Sequence, residues 1–366
     1  MHQIRIASVV LSAVLLASCG GGASDVPAKP SFASQVSFGD SLSDVGSYNV
    51  GAIAALGGGQ FTINIPGTPT NWTEMTAPML GLSQPCAAQT GIDNGSGAAP
   101  GTPVGMVVPV TNNTACTAYA QGGARVTSQP GIGNKLLGGG GFALTVPVVT
   151  QIANHLAANG GTFNGNEIVF VMAGANDVFY QAGLVGAAAI TSAQAAAAMQ
   201  TAATELATAV KNEIVGKGAK YVVVVNIPDM GTTPYVAVQA SPAATKALLD
   251  ALVSAFNTQL AADLPDSATV LNIDANTASH DEVTNPSKYN LTNVTGTACN
   301  LSFGVNPLSP SAGVPGSSLV CKASNLTAGV SVTDHYMFAD LVHPTPYAHS
   351  LFALYVLQAM TNKGWY

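Results

Sequence analysis

Ser41 is the first residue of the chain whose neighbours indicate chemistry. It lies in the segment Gly39-Asp40-Ser41-Leu42, directly after a short run over residues 34–38 that predicts a β-strand. A parallel sheet collects reactive groups at the carboxyl ends of its strands, which is where Ser41 would then lie. A serine hydroxyl is a weak nucleophile until a base takes its proton, so the segment predicts a histidine elsewhere and a group that orients it.

His343 is the histidine best suited to act as that base. It lies in the polar turn ADLVHPTPYAH, and Asp340 precedes it by three residues, so one turn of backbone can bring the carboxylate beside the imidazole. Asp340 can then hold Nδ1 of the ring while Nε2 faces Ser41. Thr345 and Pro346 are expected to cap and start a helix that fixes the turn. The sequence therefore predicts a triad of Ser41, Asp340 and His343.

Three N–H groups are candidates to bind an oxyanion. Asn176 lies in Gly174-Ala175-Asn176-Asp177, directly after a predicted strand, and its side-chain amide could donate a hydrogen bond. The segment AYAQGGARV places Gly123 in a loop that could bring a bare backbone N–H close to a substrate. With the N–H of Ser41, these groups would form an oxyanion hole.

Other polar residues have weaker patterns. Asp44 and Asp177 are expected to bond the backbone or support the site rather than to act as an acid–base pair. His349 falls on the last predicted helix and is expected to be packed or on the surface. His280 and His335 lie in irregular segments and are expected to be exposed.

Apolar strands alternate with helices along much of the chain. The predicted strands are residues 34–38, 167–172, 221–226 and 268–273. The predicted helices are residues 72–82, 146–158, 191–215, 241–263 and 346–361, the first interrupted at Pro78. This alternation is typical of a parallel sheet covered on both faces. The sequence predicts an α/β fold, a three-layer α/β/α sandwich, with loop insertions near residues 83–117 and 275–332.

Cysteines and charge limit the class of protein. After the N-terminal region the chain contains Cys86, Cys116, Cys299 and Cys321, and an even number in an exported chain is typical of disulfides. Of three possible connectivities, the sequence-local pairs are favoured because each lies in its own Gly/Pro/Asn/Thr-rich segment. The spacings lack the close pairs of a zinc site, so no metal is predicted.

A net charge of −7 and scattered basic residues argue against a nucleic-acid partner.

The first 19 residues, MHQIRIASVVLSAVLLASC, are typical of a secretory signal and too short to span a membrane. The segment Leu16-Ala17-Ser18-Cys19 resembles a bacterial lipobox, which implies cleavage before Cys19, lipidation of its thiol and attachment to a membrane. The alternative is an ordinary secretion signal in which Cys19 has no role. The expected organisation is a signal peptide over 1–18, lipidated Cys19 with a flexible tether over 19–33, and a single domain over 34–366.

Four blocks of the chain resemble those of GDSL esterases and lipases of the SGNH hydrolase superfamily, in the family's order. The blocks are Gly39-Asp40-Ser41-Leu42, Tyr119-Ala120-Gln121-Gly122-Gly123-Ala124, Gly174-Ala175-Asn176-Asp177 and Asp340-Leu341-Val342-His343. The resemblance implies that Ser41 is the nucleophile, His343 the base and Asp340 its orienting group, while Gly123 and Asn176 complete the oxyanion hole. It also implies a flavodoxin-like parallel sheet of about five strands, no cofactor, and hydrolysis of carboxylic esters.

One block departs from the family pattern, because many relatives have Asn where this chain has Ala118. The departure leaves open whether Gly122 or Gly123 donates to the oxyanion, and the register favours Gly123. Alternative functions are an acyltransferase with the same triad and a non-catalytic envelope lipoprotein that binds a ligand. Expected substrates are small esters, lipids, acetylated sugars or polyesters. By family analogy, Gly20 after Cys19 would permit sorting to the outer membrane of a Gram-negative bacterium, with secretion as the alternative.

Overall fold

A computed structural model describes residues 29–92, 108–133 and 144–366. The predicted signal peptide, Cys19 and most of the predicted tether lie outside these residues. The strands are β1 (Ser34–Gly39), β2 (Gln89–Thr90), β3 (Thr111–Asn112), β4 (Glu167–Met172), β5 (Tyr221–Val225), β6 (Val270–Ile273), β7 (Asn293–Thr297) and β8 (Tyr336–Phe338). The α-helices are α1 (Gly51–Ala55), α2 (Trp72–Met79), α3 (Val148–Ala158), α4 (Ala175–Gly186), α5 (Ser192–Ala209), α6 (Pro234–Ala237), α7 (Pro242–Asp263), α8 (Ala275–Thr284) and α9 (Pro346–Asn362).

A four-stranded parallel sheet forms the centre of the described structure. Its strand order is β1-β4-β5-β6, and Gly39 at the end of β1 pairs with Met172 at the end of β4. Because all four strands are parallel, their carboxyl ends share one edge, and Ser41 lies directly beyond it. Within the described residues this sheet has one strand fewer than the five that the resemblance implies. After β6 the chain enters α8, and the short strands β7 and β8 pair with each other instead.

The central sheet is covered by helices on both faces. Successive side chains of a strand point to opposite faces, so alternate residues enter two different cores. Val169 and Val171 of β4 enter a core formed with α3, α4, α5 and α7. Ile168 and Phe170 of the same strand enter a second core formed with α2 and α9. This arrangement confirms the predicted three-layer α/β/α sandwich.

Three helical segments differ from the predicted ones. The sequence pattern misses α4, whose buried residues are mostly polar, and α8, in which only Ala275 and Glu282 are buried. Neither helix has the apolar period by which a helix is recognised in a sequence. The prediction that residues 275–332 are irregular is therefore wrong for α8. The single helix predicted over 191–215 ends as α5 and continues as a π-helical turn, Val210–Ile214.

The packed part of the chain begins before the predicted boundary at residue 34. The Phe32 ring lies edge-on to Tyr221 with 5.2 Å between ring centroids, and Ala33 N–H donates to the Asn166 carbonyl at 2.9 Å. These contacts lie at the start of β1, so they fix the entry of the chain into the sheet.

Two disulfide bonds join residues of the irregular segments. Cys86 is bonded to Cys116 and Cys299 to Cys321, which are the sequence-local pairs favoured above. The second bond lies in a small core with Ala339, directly before the predicted Asp340 turn. Disulfides are typical of extracellular or periplasmic proteins. No helix in the described ranges is long and apolar enough to cross a membrane.

Substitution of Gly174, the residue before α4, tests how tightly the end of β4 is joined to this helix. Its φ is +113°, and a Cβ there would lie 2.7 Å from the Phe256 ring, so both backbone and space favour glycine. We expect Gly174→Ala to lower the free energy of unfolding in urea by about 2 kcal/mol or more. Gly183→Ala in the same helix meets open space and should be neutral or raise stability by up to about 1 kcal/mol. Equal losses in both variants would contradict this account.

Candidate active site

Ser41, His343 and Asp340 form one hydrogen-bonded row beyond the carboxyl edge of the sheet. Ser41 Oγ lies 2.8 Å from His343 Nε2, and His343 Nδ1 lies 2.9 Å from each Asp340 carboxylate oxygen. Ser41 follows β1, whereas the other two residues lie in the turn between β8 and α9. Thr345 Oγ1 accepts a hydrogen bond from Ala348 N–H and thereby caps α9. The structure therefore brings Ser41 together with two side chains that lie about 300 positions later in the sequence.

The Asp340 carboxylate holds its own turn. It accepts hydrogen bonds from the backbone N–H groups of Val342 and His343 at 3.0 and 2.8 Å, and from Ser318 N–H at 2.9 Å. Burial alone would raise the pKa of Asp340, but the nearby His343 and these hydrogen bonds hold the pKa well below its usual range. The carboxylate is therefore ionised and can orient the imidazole through Nδ1.

Gly39 allows the end of β1 to lie tightly against β4. A Cβ on Gly39 would lie only 2.5 Å from the Met172 carbonyl oxygen, so close approach of the two backbones requires glycine here. Gln151 of α3 then brackets this residue. Its Oε1 accepts from Gly39 N–H at 2.9 Å, and its Nε2 donates to the Gly39 carbonyl at 2.8 Å. Gln151 carries no signal in the sequence, because a glutamine within a helix belongs to no recognisable motif.

Asp40 is a buried carboxyl directly before Ser41. Its Oδ1 accepts a hydrogen bond from Leu42 N–H at 3.0 Å, while Oδ2 is buried without a partner in the described part of the chain. Burial raises the pKa of Asp40 to about 7, and the Leu42 hydrogen bond and His343 oppose this only in part. Asp40 thus orders the turn through Oδ1. Its burial removes the water that would stabilise the ionised carboxylate.

Three candidate N–H donors belong to residues that line one cavity, Ser41, Gly123 and Asn176. The backbone N–H groups of Ser41 and Gly123 donate to no residue that the structure describes, and Gly123 has the left-handed φ of +80°. Asn176 Nδ2 donates one hydrogen to the Ala124 carbonyl at 2.9 Å, which leaves its second hydrogen for another acceptor. Gly122 N–H is already bonded to Asp44 at 2.9 Å. Between the two candidate glycines, this geometry favours Gly123 as a donor.

Asp44 and Asp177 hold the glycine loop from two sides. Besides Gly122 N–H, Asp44 accepts hydrogen bonds from residues of its own turn. Asp177 of α4 accepts from Arg125 Nε and from Val126 N–H, both at 2.9 Å. Each carboxylate therefore accepts backbone hydrogen bonds that order the glycine loop.

An apolar cavity of about 270 Å³ opens beside Ser41 and His343. Gly123 and Asn176 also line it. Apolar lining side chains include Leu42, Met172, Phe179, Met230, Met337 and Phe352. The Phe61 ring packs on His343 with 5.0 Å between ring centroids and covers the imidazole from one side. The cavity can therefore accept a carbon chain next to the row of polar side chains.

Two further polar residues lie in the cavity wall, and only His349 carries an expectation from the sequence, that of a packed or surface residue. Glu282 of α8 and His349 of α9 are 7% and 3% exposed, and both line the cavity. His349 is therefore packed rather than on the surface. His280 has a 57% exposed side chain, as expected, and its Nδ1 lies 2.7 Å from Asp229 Oδ2, away from the row that contains Ser41.

Asp40→Asn tests the buried carboxyl. Because its pKa is raised from 3.8 to about 7 in the folded state, the folded protein keeps a proton that the unfolded chain releases. The resulting contribution to stability is therefore present below about pH 4 and is lost as the pH rises to about 7. Between pH 5 and 8 in urea, we expect the free energy of unfolding to fall more for wild type than for Asp40→Asn. The exposed Asp250→Asn control should follow wild type, and parallel curves for all three would contradict the prediction.

Comparison with known proteins identifies a family for this chain. A search of curated proteins finds no match to this chain. The family model described as GDSL-like Lipase/Acylhydrolase matches residues 36–356. The matched range includes Ser41, Gly123, Asn176, Asp340 and His343, and it covers most of the 366 residues. The chain therefore belongs to the GDSL-like lipase/acylhydrolase family.

Proposed function

We propose that the protein hydrolyses carboxylic esters through an acyl-enzyme on Ser41. The observation that carries this function is the 2.8 Å contact between Ser41 Oγ and His343 Nε2. A serine becomes an effective nucleophile only with a base within hydrogen-bonding distance, and this contact supplies one. Membership of a family of acylhydrolases supports the same class of reaction.

The reaction proceeds in two halves. Ser41 Oγ attacks the ester carbonyl carbon while His343 Nε2 takes the hydroxyl proton. The ionised Asp340 stabilises the imidazolium through Nδ1–H, and His343 then gives the proton to the leaving alkoxide, so the alcohol departs and the acyl group stays on Ser41. Water activated by His343 attacks the acyl-enzyme, releases the acid and restores the serine.

The negative charge of each tetrahedral intermediate falls on the former carbonyl oxygen. We assign its stabilisation to the N–H groups of Ser41 and Gly123 and to the side-chain amide of Asn176. Support comes from the bond between Gly122 N–H and Asp44, which excludes the neighbouring glycine, and from the position of all three donors at one cavity.

Hydrolysis of p-nitrophenyl butyrate tests these roles. We expect Ser41→Ala and His343→Ala to lower kcat by about 10⁴-fold or more, and Asn176→Ala to lower it by about 10²–10³-fold. Ser254→Ala on the exposed face of α7 is the control and should keep the wild-type rate. Equal rates for wild type and Ser41→Ala, or no hydrolysis by either, would contradict the proposed reaction.

We further propose that the protein is exported and attached to a membrane through lipidated Cys19. The lipobox-like segment before Cys19 supports this, and the two disulfides fit an oxidising compartment. When the full chain is expressed in a Gram-negative host, wild type should pellet with the membranes and Cys19→Ser should become soluble. Recovery of both proteins in the soluble fraction would overturn the anchor and leave the hydrolase assignment intact.

A further inference from the structure

The polar side chains in the cavity wall differ in whether they have a partner. Outside the triad and the oxyanion donors, hydrogen bonds within the chain occupy Tyr48, Trp72, Asp229, Thr232, Thr233 and Ser279. The side chains of Glu282 and His349 have no hydrogen-bond partner among residues 29–92, 108–133 and 144–366. Neither side chain is among the fully buried polar atoms that lack a partner, and both residues line the cavity, so their hydrogen-bonding groups are free to bind a molecule there.

Glu282 lies on the face of α8 that forms part of the cavity wall. Ala275, Ser279 and Val283 line the cavity from the same face, as the helical period requires. Glu282 is only 7% exposed, and besides this cavity it lines a neighbouring surface pocket that contains Asp281 and Lys288. Burial, with a smaller effect of Asp281, raises the pKa of Glu282 to about 7. Below about pH 7 the carboxyl keeps its proton and can both donate and accept a hydrogen bond.

His349 lies in the first turn of α9 and lines the same cavity. Burial and the nearby His343 lower the pKa of His349 to about 3, so its imidazole is neutral, with one donor and one acceptor nitrogen. No ion pair joins Glu282 and His349 in the described part of the chain, so the Glu282 oxygens and the His349 ring nitrogens lie more than 4.0 Å apart. The cavity wall therefore offers two separate hydrogen-bonding groups, a neutral imidazole and a carboxyl that is neutral below about pH 7.

We propose that Glu282 and His349 form a polar subsite that binds a neutral hydroxyl group on the substrate chain in the cavity, and that hydroxylated esters are preferred over plain alkyl esters. The subsite rests on the ester hydrolysis proposed above. A hydroxyl matches both groups because it donates and accepts at once. An anionic group does not fit, since neither side chain supplies a compensating positive charge at neutral pH. The hydroxyl can belong to the acyl chain or to the alcohol.

Three pairs of esters, matched in carbon skeleton, test the subsite, with acid release followed by pH-stat. They are methyl 3-hydroxybutyrate with methyl butyrate, methyl 6-hydroxyhexanoate with methyl hexanoate, and 4-hydroxybutyl acetate with butyl acetate. In wild type, we expect kcat/KM to be at least about tenfold higher for the hydroxylated member of one pair. The pair that shows the preference identifies the acyl or the alcohol side as the part bound by the subsite.

Variants of Glu282 connect that preference to the subsite. In Glu282→Leu, the ratio of kcat/KM for the hydroxylated ester to kcat/KM for the plain ester should fall close to one. Glu282→Gln keeps a donor and an acceptor and should retain part of the preference for the hydroxylated ester. Glu213→Gln, an exposed glutamate distant from the cavity, should keep the wild-type ratio. If Glu282→Leu does not fold, wild type and Glu282→Gln still give the comparison.

The outcomes separate the two proposals. Wild-type hydrolysis without a preference in any pair, or a preference unchanged in Glu282→Leu, would overturn the subsite while ester hydrolysis stands. No hydrolysis of any ester by wild type would overturn the reaction itself and the subsite with it.

Discussion

The hydrogen bond between Ser41 and His343 requires the first strand and the last turn of the chain to meet at one edge of the sheet. The parallel order of the strands brings the end of β1 to that edge. Residues after β1 also contact the turn that carries His343. Thr62 Oγ1 donates a hydrogen bond to the Pro344 carbonyl at 2.9 Å, and the Phe61 ring packs on the His343 ring. The segment that follows β1 thus holds the turn that carries the imidazole.

Buried carboxylates do much of the positioning around this bond. Asp44 and Asp177 fix the glycine loop, and Asp340 fixes the histidine turn, in each case by accepting backbone N–H groups. Removing a carboxylate from water is costly, and several hydrogen bonds offset this cost only when the surrounding backbone is already in place. The site and the fold around it therefore depend on each other, because the same bonds order the loops and solvate the charges.

The sequence predicts the parts of the molecule that have a strong local pattern. Runs such as residues 167–172 identify the central strands, and the blocks around Ser41 and His343 carry polar types that a core does not use. The roles of Gln151 and Glu282 cannot be predicted in this way, because each depends on which residue lies opposite in the folded chain. Helix α8 is missed because few of its side chains enter a core, so its sequence lacks an apolar period.

Covalent labelling tests the central claim most directly. A fluorophosphonate reacts with a serine only when a base activates the hydroxyl, so mass spectrometry of the labelled, digested protein locates the activated residue. We predict one adduct, on Ser41, formed much more slowly in His343→Ala than in wild type. An adduct on another residue, or equal labelling rates in the two proteins, would contradict the activation of Ser41 by His343.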